Sequence, residues 1–223
     1  LLIPTTTYRT EAFLEAARGL GVEVVVASER PNTLQDAFPQ SLLTLDFLKP
    51  DLAAWEAAEF ARRYPIDAVV PVDDLTTVVG AAIAEALGLR ANSVESVRAA
   101  RNKWVMRDLL SRAGVPSPRH RLASLDDDPE VFARAVPYPS VLKPTILSAS
   151  RGVIRADNPA QFAAAFRRIE AILRTPEIAA TGDGARQILP DTTIFGYYLP
   201  AAANALQGKI VGPCNSALDQ AAQ

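Results

Sequence analysis

From Val141 to Val153 the chain runs Val-Leu-Lys-Pro-Thr-Ile-Leu-Ser-Ala-Ser-Arg-Gly-Val. An apolar strand over 140–143 ends on Lys143. A polar loop with Ser148, Ala149, Ser150, Arg151 and Gly152 follows, and a second strand runs over 153–156. The pair reads as a hairpin. Small side chains let backbone N–H groups close on an anion, and serine hydroxyls add donors. A lysine at a strand end supplies a point charge for phosphate. An ordinary hairpin loop with an exposed lysine is the competing reading. The loop is not a Walker A motif, which places Gly-Lys-Ser/Thr at a helix start.

About 40 residues upstream, Ala100-Arg101-Asn102-Lys103-Trp104 opens an amphipathic helix. Val105, Met106, Leu109, Leu110 and Ala113 recur at helical spacing, while Lys103, Arg107, Asp108 and Arg112 face elsewhere. A helix start attracts anions through its unpaired N–H groups and its dipole. Lys103 is thus a second candidate, against the plainer reading of a solvated first-turn lysine. Gly114 stops the helix, and Pro116 and Pro118 follow. Downstream, 119–122 reads as a short strand, and Asp126 to Asp128 with Pro129 open a helix to Ala135. Asn158 caps a longer helix whose Phe162, Ala165, Phe166, Ile169 and Leu173 share one face. After Pro176 the pattern weakens to a turn at 181–184 and a strand stub at 187–189.

The first 91 residues alternate apolar strands (1–3, 22–27, 68–72) with helical patterns (11–20, 51–64, 76–87). Such strands, each followed by a helix, imply a parallel sheet covered on both faces. Asp73 and Asp74 stand where the 68–72 strand ends, the edge at which such sheets bind ligands, and could contact substrate. A helix cap before Thr76 is the plainer and preferred reading. Thr5 to Tyr8 follow the first strand as a polar turn, and His120 has no nearby nucleophile pattern and reads as structural.

The composition narrows the function classes. The 223 residues are 49% hydrophobic and 22% charged, enough for a real core. Lys plus Arg number 23 and Asp plus Glu 25, without the basic excess that a nucleic-acid backbone demands. The one cysteine, Cys214, and the one histidine exclude internal disulfides and histidine-rich metal sites. No apolar run approaches the roughly 20 residues of a membrane span, and no leader pattern opens the chain. A cytoplasmic protein without nucleic-acid or membrane partners is expected. The only methionine is Met106, so further residues are expected before Leu1.

Taken together, "RNKWVMRDLLSRAGVPSPRH" and "YPSVLKPTILSASRGV" resemble the ATP-grasp superfamily, specifically carboxylate–amine ligases of the carbamoyl-phosphate-synthase-like and amino-acid-ligase kind. The resemblance covers about 1–173. It implies a Rossmann-like pre-ATP-grasp domain at 1–91, linking helices at 92–118, a first α+β ATP-grasp lobe at 119–189 and an unassigned, incomplete second lobe at 190–223. It implies that Lys103 and Lys143 hold ATP phosphates and that the loop from Ser148 to Gly152 folds over them. Arg151 departs from loops made only of small residues. The implied reaction forms an acyl phosphate from a carboxylate and ATP, which an amine then attacks. ATP, Mg2+, a small-molecule carboxylate and amine, and a homodimer go with it.

The family's acidic hinge and magnesium-binding glutamates are expected after the 187–189 strand. Pro190-Asp191-Thr192-Thr193 stands there instead, and the last glutamate is Glu177. The metal ligands therefore have no counterpart in the sequence. A non-catalytic nucleotide-binding or regulatory module remains the alternative. A Rossmann dehydrogenase is disfavoured because Pro4-Thr5-Thr6-Thr7 replaces the G-x-G-x-x-G fingerprint.

Overall fold

The structure is a computed structural model that describes residues 1–179 and 186–191, and the chain divides into a first unit, Leu1–Arg98, and a second, Ala99–Gln223. The turn expected at 181–184 and residues 192–223 of the segment expected as an incomplete second lobe lie outside the described residues.

The first unit has the expected parallel α/β order with shorter strands than the apolar runs suggest. β1 (Val26–Ser28) pairs in parallel with β2 (Leu42–Thr44). The runs at 1–3 and 68–72 join through single bridges, Leu2 to Ala27 and Leu2 to Pro71, both parallel. Their hydrogen bonds are regular: Leu2 N to Val70 O at 3.0 Å, Ile3 N to Ala27 O at 2.8 Å and Val72 N to Leu2 O at 3.1 Å. The helices are α1 (Thr10–Leu20), α2 (Pro50–Ala61) and α3 (Thr77–Ala86). α3 is buried continuously from Val78 to Ala84, as its apolar sequence requires. Gly80 permits this, because a Cβ there would stand 3.3 Å from Leu2 Cδ1 and from Pro71. Leu2, Ala27, Leu45, Phe47, Ala53, Val79 and Ile83 form the core.

α4 (Val94–Arg101) precedes α5 (Lys103–Arg112), which opens within the Ala100–Trp104 stretch where the sequence places a helix start. Asn102 separates the two. Its backbone is extended, and its side chain accepts from Trp104 N at 3.0 Å and Val105 N at 3.3 Å, an N-cap.

The second unit carries a four-stranded antiparallel sheet in the order β3-β6-β4-β5. β3 is Ala123–Ser124, β4 Ser140–Pro144, β5 Ile154–Ala156 and β6 Gln187–Asp191. The strand expected at 119–122 is corrected: only His120 bridges, to Asp191, and the ladder begins at Ala123. β4 and β5 form the expected hairpin. α6 (Pro129–Arg134) is capped by Asp128, and α7 (Pro159–Leu173) by Asn158, whose side chain accepts from Gln161 N at 3.0 Å. α8 (Pro176–Ala179) follows. α7 lays Phe162, Ala165, Phe166, Ile169 and Leu173 against the sheet, where Leu142, Ala156 and Ile188 meet them. Among the described residues, no helix is long and apolar enough to cross a membrane.

Candidate functional site

Strand alternation places Lys143. Ser140, Leu142 and Pro144 are buried, while Val141 and Lys143 are partly exposed on the other face of β4. α5 brings Lys103 to the exit of the same strand. The Lys103 backbone N–H donates to Thr145 O at 2.9 Å. Its ammonium donates to Leu147 O at 2.5 Å and lies 3.5 Å from Thr145 O. Lys103 is thus fastened to the chain between the strand that carries Lys143 and Ser148.

The loop itself is bent. Ala149 and Ser150 are non-glycine residues at φ 54° and 57°, and Gly152 has φ 72°. Non-glycine residues in that region are strained and gather at functional loops. Arg151 N bonds Ser148 O and Val153 N bonds Ser150 O, each at 3.2 Å, so the loop is two successive turns. At Gly152 a Cβ would stand 3.0 Å from Pro144 Cγ and 3.1 Å from Pro144 Cδ. Gly152→Ala is therefore expected to destabilise the second unit by about 1–3 kcal/mol, measured by urea unfolding.

Asp191 is a functional candidate that the sequence did not single out. It sits at the end of β6 opposite Val141, so it shares the face of Val141 and Lys143. The residue is 1% exposed. Its Oδ2 accepts from Lys143 Nζ at 2.8 Å and from Arg107 Nη2 of α5 at 3.5 Å. It also lines a cavity of about 440 Å3 with Ser117, His120, Arg121, Ser140 and Pro190. The signal available in the sequence was an acid ending an apolar strand; the antiparallel register that aims it at Lys143 was not. His120 is structural here: its Nδ1 is 2.9 Å from Pro118 O and its ring meets Trp104 edge-on at 5.2 Å.

Asp73 and Asp74 belong to the first unit, at the start of a one-turn 3-10 helix, Asp74–Thr76. Thr76 Oγ1 donates to Asp73 O at 2.8 Å and Thr77 Oγ1 to Asp74 O at 2.8 Å. Those bonds close a helix start. At the same sheet edge Thr5 N donates to both Glu29 carboxylate oxygens at 3.1 Å, and the Thr5 hydroxyl donates to Oε1. Burial would raise the Glu29 carboxyl, but these donors outweigh it and hold it below its ordinary value. Among the described residues no group of three or more His, Cys, Asp or Glu is placed to hold a metal ion.

Comparison with known proteins bears on the family and the fold of the chain. The ATP-grasp N-terminal domain model matches residues 14–89, and the ATP-grasp domain model matches residues 136–188, which span the hairpin, its loop and the start of β6. The chain is 28% identical over 144 residues to alanine–anticapsin ligase of Bacillus subtilis, a match covering 58% of this chain and 30% of that protein. Among solved structures it resembles an L-amino acid ligase from Bacillus licheniformis (TM-score 0.65, 22% identity, 86% of this chain and 46% of the other). It also resembles the biotin carboxylase domain of Hydrogenobacter thermophilus 2-oxoglutarate carboxylase, solved with MgADP and bicarbonate (TM-score 0.54, 17% identity, 84% and 43%). The chain thus spans about 30% of the length of the curated relative and under half of either solved one. With one family model on each of its two units, the chain belongs to the ATP-grasp superfamily.

Proposed function

We propose that the chain is the nucleotide-holding part of an ATP-dependent ligase that joins a carboxylate to an amine. The observation that carries this is that Lys103 is fastened to the Leu147 carbonyl just before a strained small-residue loop, while Lys143 stands on the strand that leads into that loop. Phosphoryl transfer asks a protein for positioning and charge neutralisation, and two ammonium groups beside turn amides and serine hydroxyls supply both. Lys103 would exchange the Leu147 carbonyl for a phosphate oxygen, Lys143 would add a second point charge, and residues 148–152 would cover the phosphates. The names of the amino-acid ligases that the chain resembles support the substrate class, and nucleotide complexes among its fold neighbours support ATP.

In this reading a carboxylate oxygen attacks the γ-phosphorus, the bond to the bridging oxygen breaks and ADP leaves. The amine then attacks the acyl carbon, phosphate departs, and the amine loses its proton. Magnesium accompanies ATP, but the described residues do not fit it: Asp191, the carboxylate at this site, is engaged by two cations. No step is therefore routed through the metal. A homodimer and a cytoplasmic setting belong to the same reading.

The test is ATP affinity, by calorimetry with magnesium present. Lys103→Ala and Lys143→Ala are each expected to weaken ATP by about 10-fold or more, since a hydrogen bond to a charged group is worth about 1.5–3 kcal/mol. Unchanged affinity in both variants sinks the assignment. ATP binding without ADP formation from any amino-acid pair would favour the non-catalytic module.

A further inference from the structure

We infer that Asp191 and Arg107 are positioning residues for Lys143, which deepens the nucleotide reading above and rests on it. Lysine is a compact charge on a flexible four-carbon stem, so it aims at a ligand only when something holds it. Asp191 Oδ2 holds it at 2.8 Å, and the carboxylate is itself fixed by its strand position and fully buried side chain. An ammonium has three donors and Asp191 takes one, so a carboxylate on one side directs the other two elsewhere.

Arg107 completes the device. A carboxylate alone beside Lys143 would cancel the charge that an anionic ligand needs. With Arg107 Nη2 at 3.5 Å from the same oxygen, two cations share one anion. The three side chains together carry one net positive charge. They are largely buried, with Lys143 13% and Arg107 21% exposed, so that charge is weakly screened by solvent. Asp191 therefore orients Lys143 while Arg107 keeps the group attractive to phosphate. The arrangement ties three distant segments, α5, β4 and β6, to one atom.

The experiment uses the full chain with magnesium and ATP as the probe. Asp191→Asn is expected to weaken ATP about 10-fold or more, approaching Lys143→Ala. The double variant is expected to be no weaker than Lys143→Ala alone, because the acid acts only through the lysine. Asp191→Glu is expected to recover part of the loss. Arg107→Met, on a partly exposed helix, is expected to weaken ATP about 3-fold or more with its melting temperature little changed. In 15N-lysine spectra the Lys143 ammonium signal, slowed in exchange by its carboxylate, is expected in the unmutated chain and lost in Asp191→Asn. That measurement and Arg107→Met serve if Asp191→Asn does not fold. If folded Asp191→Asn binds ATP as the unmutated chain does, or its loss multiplies with that of Lys143→Ala, the positioning role is wrong while the nucleotide site stands. If Lys143→Ala itself leaves ATP binding unchanged, both fall.

Discussion

Phe162→Ala is expected to lower the stability of the second unit by about 3–5 kcal/mol, the range for emptying a buried phenylalanine site. Phe162 is fully buried in the first turn of α7, at the start of its inner face. Its ring lies parallel to Phe132 of α6 at 6.0 Å and meets Tyr138 edge-on at 6.4 Å. Truncation removes both aromatic partners at once and leaves a cavity that neither a strand nor a fifteen-residue helix can collapse into. The consequence reaches the site, because the sheet face opposite this core carries Lys143 and Asp191. Urea unfolding, followed by Trp104 fluorescence in a Trp55→Phe background, measures the loss. Arg167→Ala is the control on the outer face of the same helix. It breaks an exposed ion pair with Glu130 and should stay within about 0.5 kcal/mol of the parent. Equal effects from the two substitutions would mean that α7 does not dock as described.

Signals that are local in the chain were legible in the sequence. Asn158 and Pro159 mark the start of α7, and its period of apolar residues names its buried face correctly. Lys143 at the end of a hairpin strand and Lys103 at a helix start stand where their neighbours predict. The sequence fell short wherever a property depends on a distant partner. β2, Leu42–Thr44, has three residues in a mixed setting and becomes a strand only because Val26–Ser28 pairs with it. The runs at 1–3 and 68–72 look like full strands but satisfy their backbone through single bridges. The largest omission was Asp191. An acid ending an apolar strand was the local signal, but its aim at Lys143 comes from a register of Val141 against Asp191 across 50 residues of chain.

Asp191→Leu alone is expected to cost about 3–5 kcal/mol, because it strands Lys143 and Arg107 beside a low-dielectric interior with their anion removed. The triple variant Asp191→Leu, Lys143→Met, Arg107→Met is expected to recover that loss, ending near the parent stability or above it. Apolar side chains of similar volume avoid the desolvation that buried charges incur, and such replacements are commonly neutral or stabilising by about 1–4 kcal/mol. The same triple variant should lose ATP affinity at least as fully as Lys143→Ala. Denaturant unfolding and calorimetry on one set of proteins read both quantities. The contrast separates two reasons for burying three charged groups. If the charges served the fold, the apolar set would remain as unstable as Asp191→Leu. If they serve a ligand, stability returns while binding does not. The geometry favours the second outcome: one carboxylate for two cations is a poor arrangement for neutralising a core and a suitable one for receiving an anion.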